Sequence, residues 1–161
     1  MEIRLIGATA AAVATTALTG GAASRSSVDS VWYQRLRKPA YQPPRQVFPI
    51  VWPLLYADIA VVSADTVDHL IEDGDADAAR RFSTALAINL GLNASWSWVF
   101  FGRRRLGLAA LTAGALAASS ADLTRRAVAV RGRRAAPLAA YPAWCAFAAV
   151  LSTHIWWLNR R

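Results

Sequence analysis

Segments of roughly 20 apolar residues, long enough to cross a hydrocarbon core as helix, fall at about 3–23, 47–70, 81–101, 106–130 and 136–158. This recurrence constrains the fold more than any other feature, because few architectures can bury five such stretches in 161 residues. Most of the 18 basic residues sit in the connections or at the ends of these segments. A polytopic membrane protein distributes charge in this way, whereas a soluble bundle carries charge along one face of each helix. The expectation is an all-α, five-transmembrane-helix bundle forming a single, multi-pass integral membrane domain. Mean hydropathy is only +0.27 because alanine, more than leucine, fills the spans. A soluble helical core is the weaker alternative at 55% hydrophobic content.

Charge narrows the partners. The net charge of +8 could suggest nucleic acid, but the basic residues flank apolar spans and form no continuous stripe. Membrane lipids with anionic headgroups are the expected partners, and nucleic acid is not. The single cysteine, Cys145, allows neither an intrachain disulfide nor a multi-cysteine metal site, and no metal site is expected. The first span competes with a cleaved signal peptide. A signal h-region is shorter and more hydrophobic, and only Arg4 beside Glu2 offers a basic n-region, so a retained helix is expected.

Five spans put the termini on opposite sides. The side with the first loop, the 103–105 turn and the C-terminus holds ten basic residues against eight on the other. That excess weakly favours a cytoplasmic long loop and C-terminus.

The loop between the first two spans, with the helix it enters, is the most distinctive stretch: VWYQRLRKPAYQPPRQVFPIVWPLLY over residues 31–56. Pro43-Pro44 favours extended backbone, and Pro49 and Pro53 are read as falling in the first turns of the following helix. The segment should form a stiff, aromatic-lined lid. Helix counting at 1.5 Å per residue places Trp52, Tyr56, Asn93, Trp96 and Trp98 in one layer on the lid side. Ala148 and Leu151 reach that layer from the fifth span, with Trp144 nearer the middle. Trp144, Ala148 and Leu151 follow i, i+4, i+7, as do Trp52, Tyr56 and Ile59. The two faces, the Asn93 amide and the lid are expected to enclose an apolar cavity suited to a flat, hydrophobic ligand.

The strings WYQRLRKPAYQPP (32–44), VFPIVWPLLY (47–56), NLGLNASWSWVFF (89–101), YPAWCAFAAVLS (141–152) and IWWLN (155–159) resemble, in order, the motifs of the tryptophan-rich sensory proteins, relatives of the mitochondrial translocator protein. The resemblance covers about residues 30 to 159. It implies a five-helix membrane fold, usually homodimeric, that binds tetrapyrroles such as protoporphyrin IX and haem, and also sterols and benzodiazepine-type compounds. No other cofactor is required. Carried over by position, the ligand site comprises Tyr33, Trp52, Tyr56, Asn93, Trp96, Ser97, Trp144, Ala148 and Leu151. Some bacterial members are described as promoting light-dependent breakdown of protoporphyrin, which assigns a photochemical role to Trp52 and Trp144. Two departures stand out. Ala140-Tyr141-Pro142 shifts the proline of the fifth-helix motif, and no basic residue follows Tyr141 closely enough for the sterol pattern; VWYQR (31–35) fits that pattern only in a loop.

Several positions have two readings. Asn93 is a pocket residue or interhelical glue. His154 is a hydrogen-bonded scaffold or, less favoured, a haem ligand; His69, beside the acidic turn, is a weaker ligand candidate still. Asp58 and Asp65 share a face within the second span, where buried charge is normally paired or functional; a structural pairing, with Arg125, Arg126 or water, is favoured over a proton relay. Ala87, Gly91 and Ser95 make a small-residue face, either a dimer seam or an internal contact. Trp156 and Trp157 read as interfacial anchors beside Arg160-Arg161. The function expected is a tetrapyrrole-binding sensor or regulator with possible photochemical activity; the alternative is a transporter of porphyrins or other amphipathic molecules.

Overall fold

The computed structural model describes residues 30–160. The expected first span, with its signal-peptide alternative, lies outside them. A short helix α1 (Val31–Arg35) is capped by Ser30, whose side chain accepts from the Tyr33 N–H. Irregular chain then leads to α2 (Phe48–Glu72), α3 (Ala76–Ser97), α4 (Leu106–Arg131) and α5 (Ala140–Asn159). A π-turn, Trp98–Gly102, extends α3, and a 3-10 segment, Gly132–Ala139, joins α4 to α5. Every regular element among the described residues is helical.

Two segments are long and apolar enough to cross a membrane: Phe48–Glu72 and the nearly continuous helical stretch Leu106–Asn159. The hydroxyls within these helices are largely satisfied by their own backbone. Thr66, Thr112, Thr124 and Thr153 each donate to the carbonyl four residues back, which lets a polar side chain sit in an apolar helix without an outside partner.

Helix α3 starts earlier than expected. The acidic run predicted a turn over 72–78 and a helix from about Arg80; the turn instead closes by residue 75, where the Asp75 side chain caps α3 by accepting from the Ala78 N–H at 2.8 Å. Gly74, at φ +78°, makes the left-handed stop of α2, and the Asp75 N–H returns to the Leu70 carbonyl at 2.9 Å. Gly132, at φ +56° and ψ −131°, ends α4 in a conformation that favours glycine. Pro142 falls in the first turn of α5, so the shifted proline leaves that helix intact. Pro53 lies inside α2, beyond its first turn, where the missing N–H forgoes a bond to the residue-49 carbonyl.

The main core lies among α2, α3, α4 and α5, around Ile59, Phe82, Leu123, Leu138 and Tyr141. The buried face of α4 runs Ala109, Ala113, Leu116, Ser120, Leu123, Ala127. This helical spacing of mostly small side chains lets α5 approach closely, and the α4–α5 packing is the most extensive in the molecule. A second cluster, around Phe100, Ala109, Leu151 and Ile155, sits beneath α1.

Candidate functional site

Aromatic rings from four elements converge at the lid end of the bundle. On α2, Trp52 stacks on Tyr56 one turn later, at a centroid distance of 5.4 Å. Phe48, at the start of α2, meets Trp144 of α5 edge-on at 6.0 Å, and Trp144 in turn lies 5.5 Å from Phe147. On α3, Trp96 stacks on Phe100 at 5.3 Å and meets Phe101 edge-on at 6.1 Å. An ordinary helix would carry position i+5 away from that face. The π-turn, in which the Arg103 N–H donates to the Trp98 carbonyl five residues back, brings Phe101 alongside. Tyr33 of α1 packs on Phe100 and Phe101 at 6.3 and 5.7 Å.

The predicted residues therefore divide into two linked groups. Trp52, Tyr56 and Trp144 pack against the main core, while Tyr33, Trp96 and Leu151 belong to the cluster under α1. Phe48 and Phe147, which sequence reasoning did not single out, belong to the second cluster and touch Trp144, so they join the groups. Ser97 is buried beside this layer and Ala148 is half-buried. Among the described residues, open cavities of about 510 and 410 Å³ are present, and of the nine expected ligand residues only Tyr33 lines either of these two.

Beneath the rings runs a directional chain of hydrogen bonds. The Tyr56 hydroxyl donates to Asn93 Oδ1 at 2.7 Å, Asn93 Nδ2 donates to the Tyr141 hydroxyl at 3.2 Å, and that hydroxyl donates to Asn89 Oδ1 at 2.8 Å. Asn89 Nδ2 then donates to Ser119 Oγ at 3.2 Å. The chain ties α2, α3, α5 and α4 together. Asn93 thus bridges α2 and α5, with its Tyr56 partner on the edge of the aromatic layer. Tyr141, Asn89 and Ser119 were missed in the sequence; the legible signal was Asn89 and Asn93, one turn apart on an otherwise apolar face.

Some polar atoms in the layer have no such partner. The indole N–H groups of Trp96 and Trp144 are buried without an acceptor among the described residues, and Gln42 Oε1 is buried without a donor. Buried donors of this kind are uncommon in a finished core, and they suit a ligand that brings acceptors.

The lid is clamped to the end of α5. The Arg37 N–H donates to Asn159 Oδ1 at 3.0 Å, and Asn159 Nδ2 returns a bond to the Arg37 carbonyl at 2.9 Å, a reciprocal pair like one rung of a sheet. Further along, the Tyr41 hydroxyl and His154 Nδ1 share a hydrogen bond at 3.0 Å, and Gln42 Nε2 donates to the Tyr33 hydroxyl at 3.1 Å. Lys38 lies over the Tyr33 ring, 4.2 Å from its centroid. Burial raises the Tyr33 phenol above its ordinary value, against the opposing Gln42 hydrogen bond, and burial likewise lowers Lys38. His154 therefore has the hydrogen-bonded scaffold role, and His69 pairs locally with Asp73 at 3.4 Å.

The carboxylates of α2 are partnered differently from expectation. Asp65 forms a bidentate pair with Arg131 at 2.6 and 2.8 Å, whereas Arg125 and Arg126 both turn to Asp122 on their own helix. Asp58 Oδ2 is buried without a hydrogen-bond partner among the described residues. Ala87, Gly91 and Ser95 are exposed, and a Cβ at Gly91 would meet nothing within 4 Å, so this face is no internal contact among the described residues. Trp156 and Trp157 are exposed near the end of α5, with the Arg160 guanidinium 3.3 Å over the Trp157 ring.

Comparison with known proteins covers almost the whole chain. The model of the TspO/MBR family matches residues 8–158. The translocator protein of Ovis aries is 35% identical over 141 residues, 80% of this chain and 75% of the relative. The uncharacterized membrane protein YtaB of Bacillus subtilis is 32% identical over 151 residues, 92% of this chain and 94% of the relative. A tryptophan-rich sensory protein of Cereibacter sphaeroides is 38% identical over 78 residues, about half of each chain (48% and 45%). With the motif order, the apolar helices and a match across nearly its full length, this chain belongs to the TspO/MBR family of membrane proteins.

Proposed function

We propose that this protein is a membrane-embedded, tetrapyrrole-binding sensor or regulator, with protoporphyrin IX or haem as its ligand and with light-dependent porphyrin degradation as its activity. The observation that carries the reading is the convergence of Trp52–Tyr56, Phe48–Trp144–Phe147 and Trp96–Phe100 beneath a clamped lid, with the indole N–H groups of Trp96 and Trp144 lacking acceptors. Flat apolar rings stack on aromatic side chains, and carboxylates or carbonyls of the ligand would accept from those indoles. Entry requires the ring layer to part, and the lid is the element whose release would allow it. The expected ligand residues Tyr33, Trp52, Tyr56, Asn93, Trp96, Ser97, Trp144, Ala148 and Leu151 belong to this proposal.

Bound porphyrin would supply light absorption. This chain would supply Trp52 and Trp144 as oxidisable indoles that exchange an electron with the excited ring, and an enclosure that excludes bulk water. The complete protein is proposed as a single membrane domain of five spans, with the lid and C-terminus on the cytoplasmic side and with a homodimer formed through the exposed Ala87-Gly91-Ser95 face.

Loss of porphyrin absorbance under illumination, compared with a dark control at equal bound porphyrin, tests the photochemical part. Loss confined to the illuminated, bound fraction supports it; equal loss in protein-free micelles contradicts it. The transporter alternative draws on the names of the translocator relatives. Porphyrin flux into sealed proteoliposomes separates the two, because a sensor need not move its ligand.

A further inference from the structure

The 510 Å³ cavity lies at the other end of the bundle, between the first turns of α3 and the last turns of α4. Its α3 wall presents Asp77, Arg80, Arg81 and Ile88, spaced along one helical face, and its α4 wall presents Ser119, Asp122 and Arg126. The helices are antiparallel neighbours, so Arg81, five residues after the start of α3, stands level with Arg126, five before the end of α4. Both lie roughly 8 Å inside the helix ends. With its π-turn, α3 is about 40 Å long against a hydrocarbon core of about 30 Å, which puts the arginines near the headgroup boundary.

Charge in the cleft is arranged asymmetrically. Arg80 is held through Nη2 by Asp77, which leaves its Nη1 open, and Arg126 is held through Nε by Asp122 Oδ2 at 2.6 Å, which leaves both of its outer nitrogens open. Arg81 is exposed and pairs with no carboxylate among the described residues. Three guanidiniums around one opening are a recognition set for phosphate oxygens. Deeper in the membrane the cleft turns apolar, with Ala85 and the exposed Ile88 about 10 Å beyond Arg81. A cationic mouth leading to an apolar wall matches an amphiphile, not a free anion.

We propose that this α3–α4 cleft is a binding site for an anionic phospholipid, with the headgroup phosphate on Arg81, Nη1 of Arg80 and the outer nitrogens of Arg126, and an acyl chain along Ile88. The site is separate from the aromatic layer and does not depend on the ligand proposed there. It is more local than a general attraction of basic residues to the membrane surface, and that difference is what the test resolves.

Delipidated full-length protein is offered equal amounts of phosphatidylglycerol and phosphatidylcholine, and retained lipid is counted by native mass spectrometry. Wild type should retain phosphatidylglycerol preferentially. Arg81→Gln breaks no ion pair, so it should leave the thermal melt unchanged while reducing that preference about fivefold. Arg133→Gln, an equal charge loss on the same side but outside the cleft, should retain the preference. No preference in wild type, or the same loss in both variants, would overturn the proposal in favour of a diffuse surface field. Displacement of the lipid by inorganic phosphate, with short-chain and long-chain phosphatidylglycerol retained equally, would also overturn it by assigning the cleft to a free anion.

Discussion

At the scale of single residues, Tyr141 has the most demanding position. It is fully buried, accepts from Asn93 and donates to Asn89. Tyr141→Phe would leave an amide donor and an amide acceptor unpaired in an apolar core. The expected loss is about 1–2 kcal/mol, measured as a lower thermal midpoint in detergent. Tyr56→Phe ends the same chain one bond earlier and should cost less, since only Asn93 Oδ1 loses its partner. The indoles call for a different substitution. Trp52→Phe and Trp144→Phe keep an aromatic ring while removing the more easily oxidised one, so porphyrin affinity should fall by about 1 kcal/mol or less. If the indoles are reagents, illuminated decay per bound porphyrin falls far more in both variants than affinity does. Equal decay per bound porphyrin in all three proteins would make them walls.

At the scale of elements, the lid is held by few contacts, and Asn159 makes two of them. Asn159→Ala should raise amide hydrogen exchange across residues 37–46 and speed porphyrin association, with little change in the exchange of α4. Unchanged lid exchange would show that Tyr41–His154 and the Tyr33 packing hold it alone. How far the sequence reveals such features depends on range. The lid, its stiff prolines and the aromatic stripe of α2 are local patterns and were legible. The clamp joins residues 122 apart, and the Asp65–Arg131 pair joins residues 66 apart; neither leaves a local trace. Arg125 and Arg126 looked like partners for Asp65, but Asp122 lies three and four residues away on the same helix and takes both. The early start of α3 was obscured by its acidic run, although Asp75 is a good cap and Asp77 pairs with Arg80 one turn on.

At the scale of the whole molecule, the helical architecture follows from apolar periodicity, whereas the site does not follow from it alone. Helix counting brings Trp52, Tyr56, Asn93, Trp96 and Trp98 to one depth; the structure joins Trp52, Tyr56 and Asn93 there but leaves Trp98 exposed, and counting could not foresee that Phe48 and Phe147 pack on Trp144. Nor could it foresee the π-turn that carries Phe101 to Trp96, because a single added residue in a turn leaves no period to read. The exposed small-residue face of α3 bears on assembly. Gly91→Leu adds bulk where a Cβ meets nothing in one protomer, so the monomer should keep its stability while a dimer built on this face weakens. Cross-linking and light scattering would show a smaller dimer fraction; an unchanged fraction would move the interface elsewhere.

The central claim, that the converging aromatic rings receive a porphyrin, is tested most directly by titrating protoporphyrin IX in the dark against the intrinsic tryptophan fluorescence of the protein in nanodiscs. Trp52, Trp96 and Trp144 belong to the proposed site, so a bound porphyrin should quench them. The account predicts saturable quenching with a dissociation constant in the micromolar range, about −8 kcal/mol. Quenching that rises without saturation, with porphyrin uptake equal to that of empty nanodiscs, would contradict it.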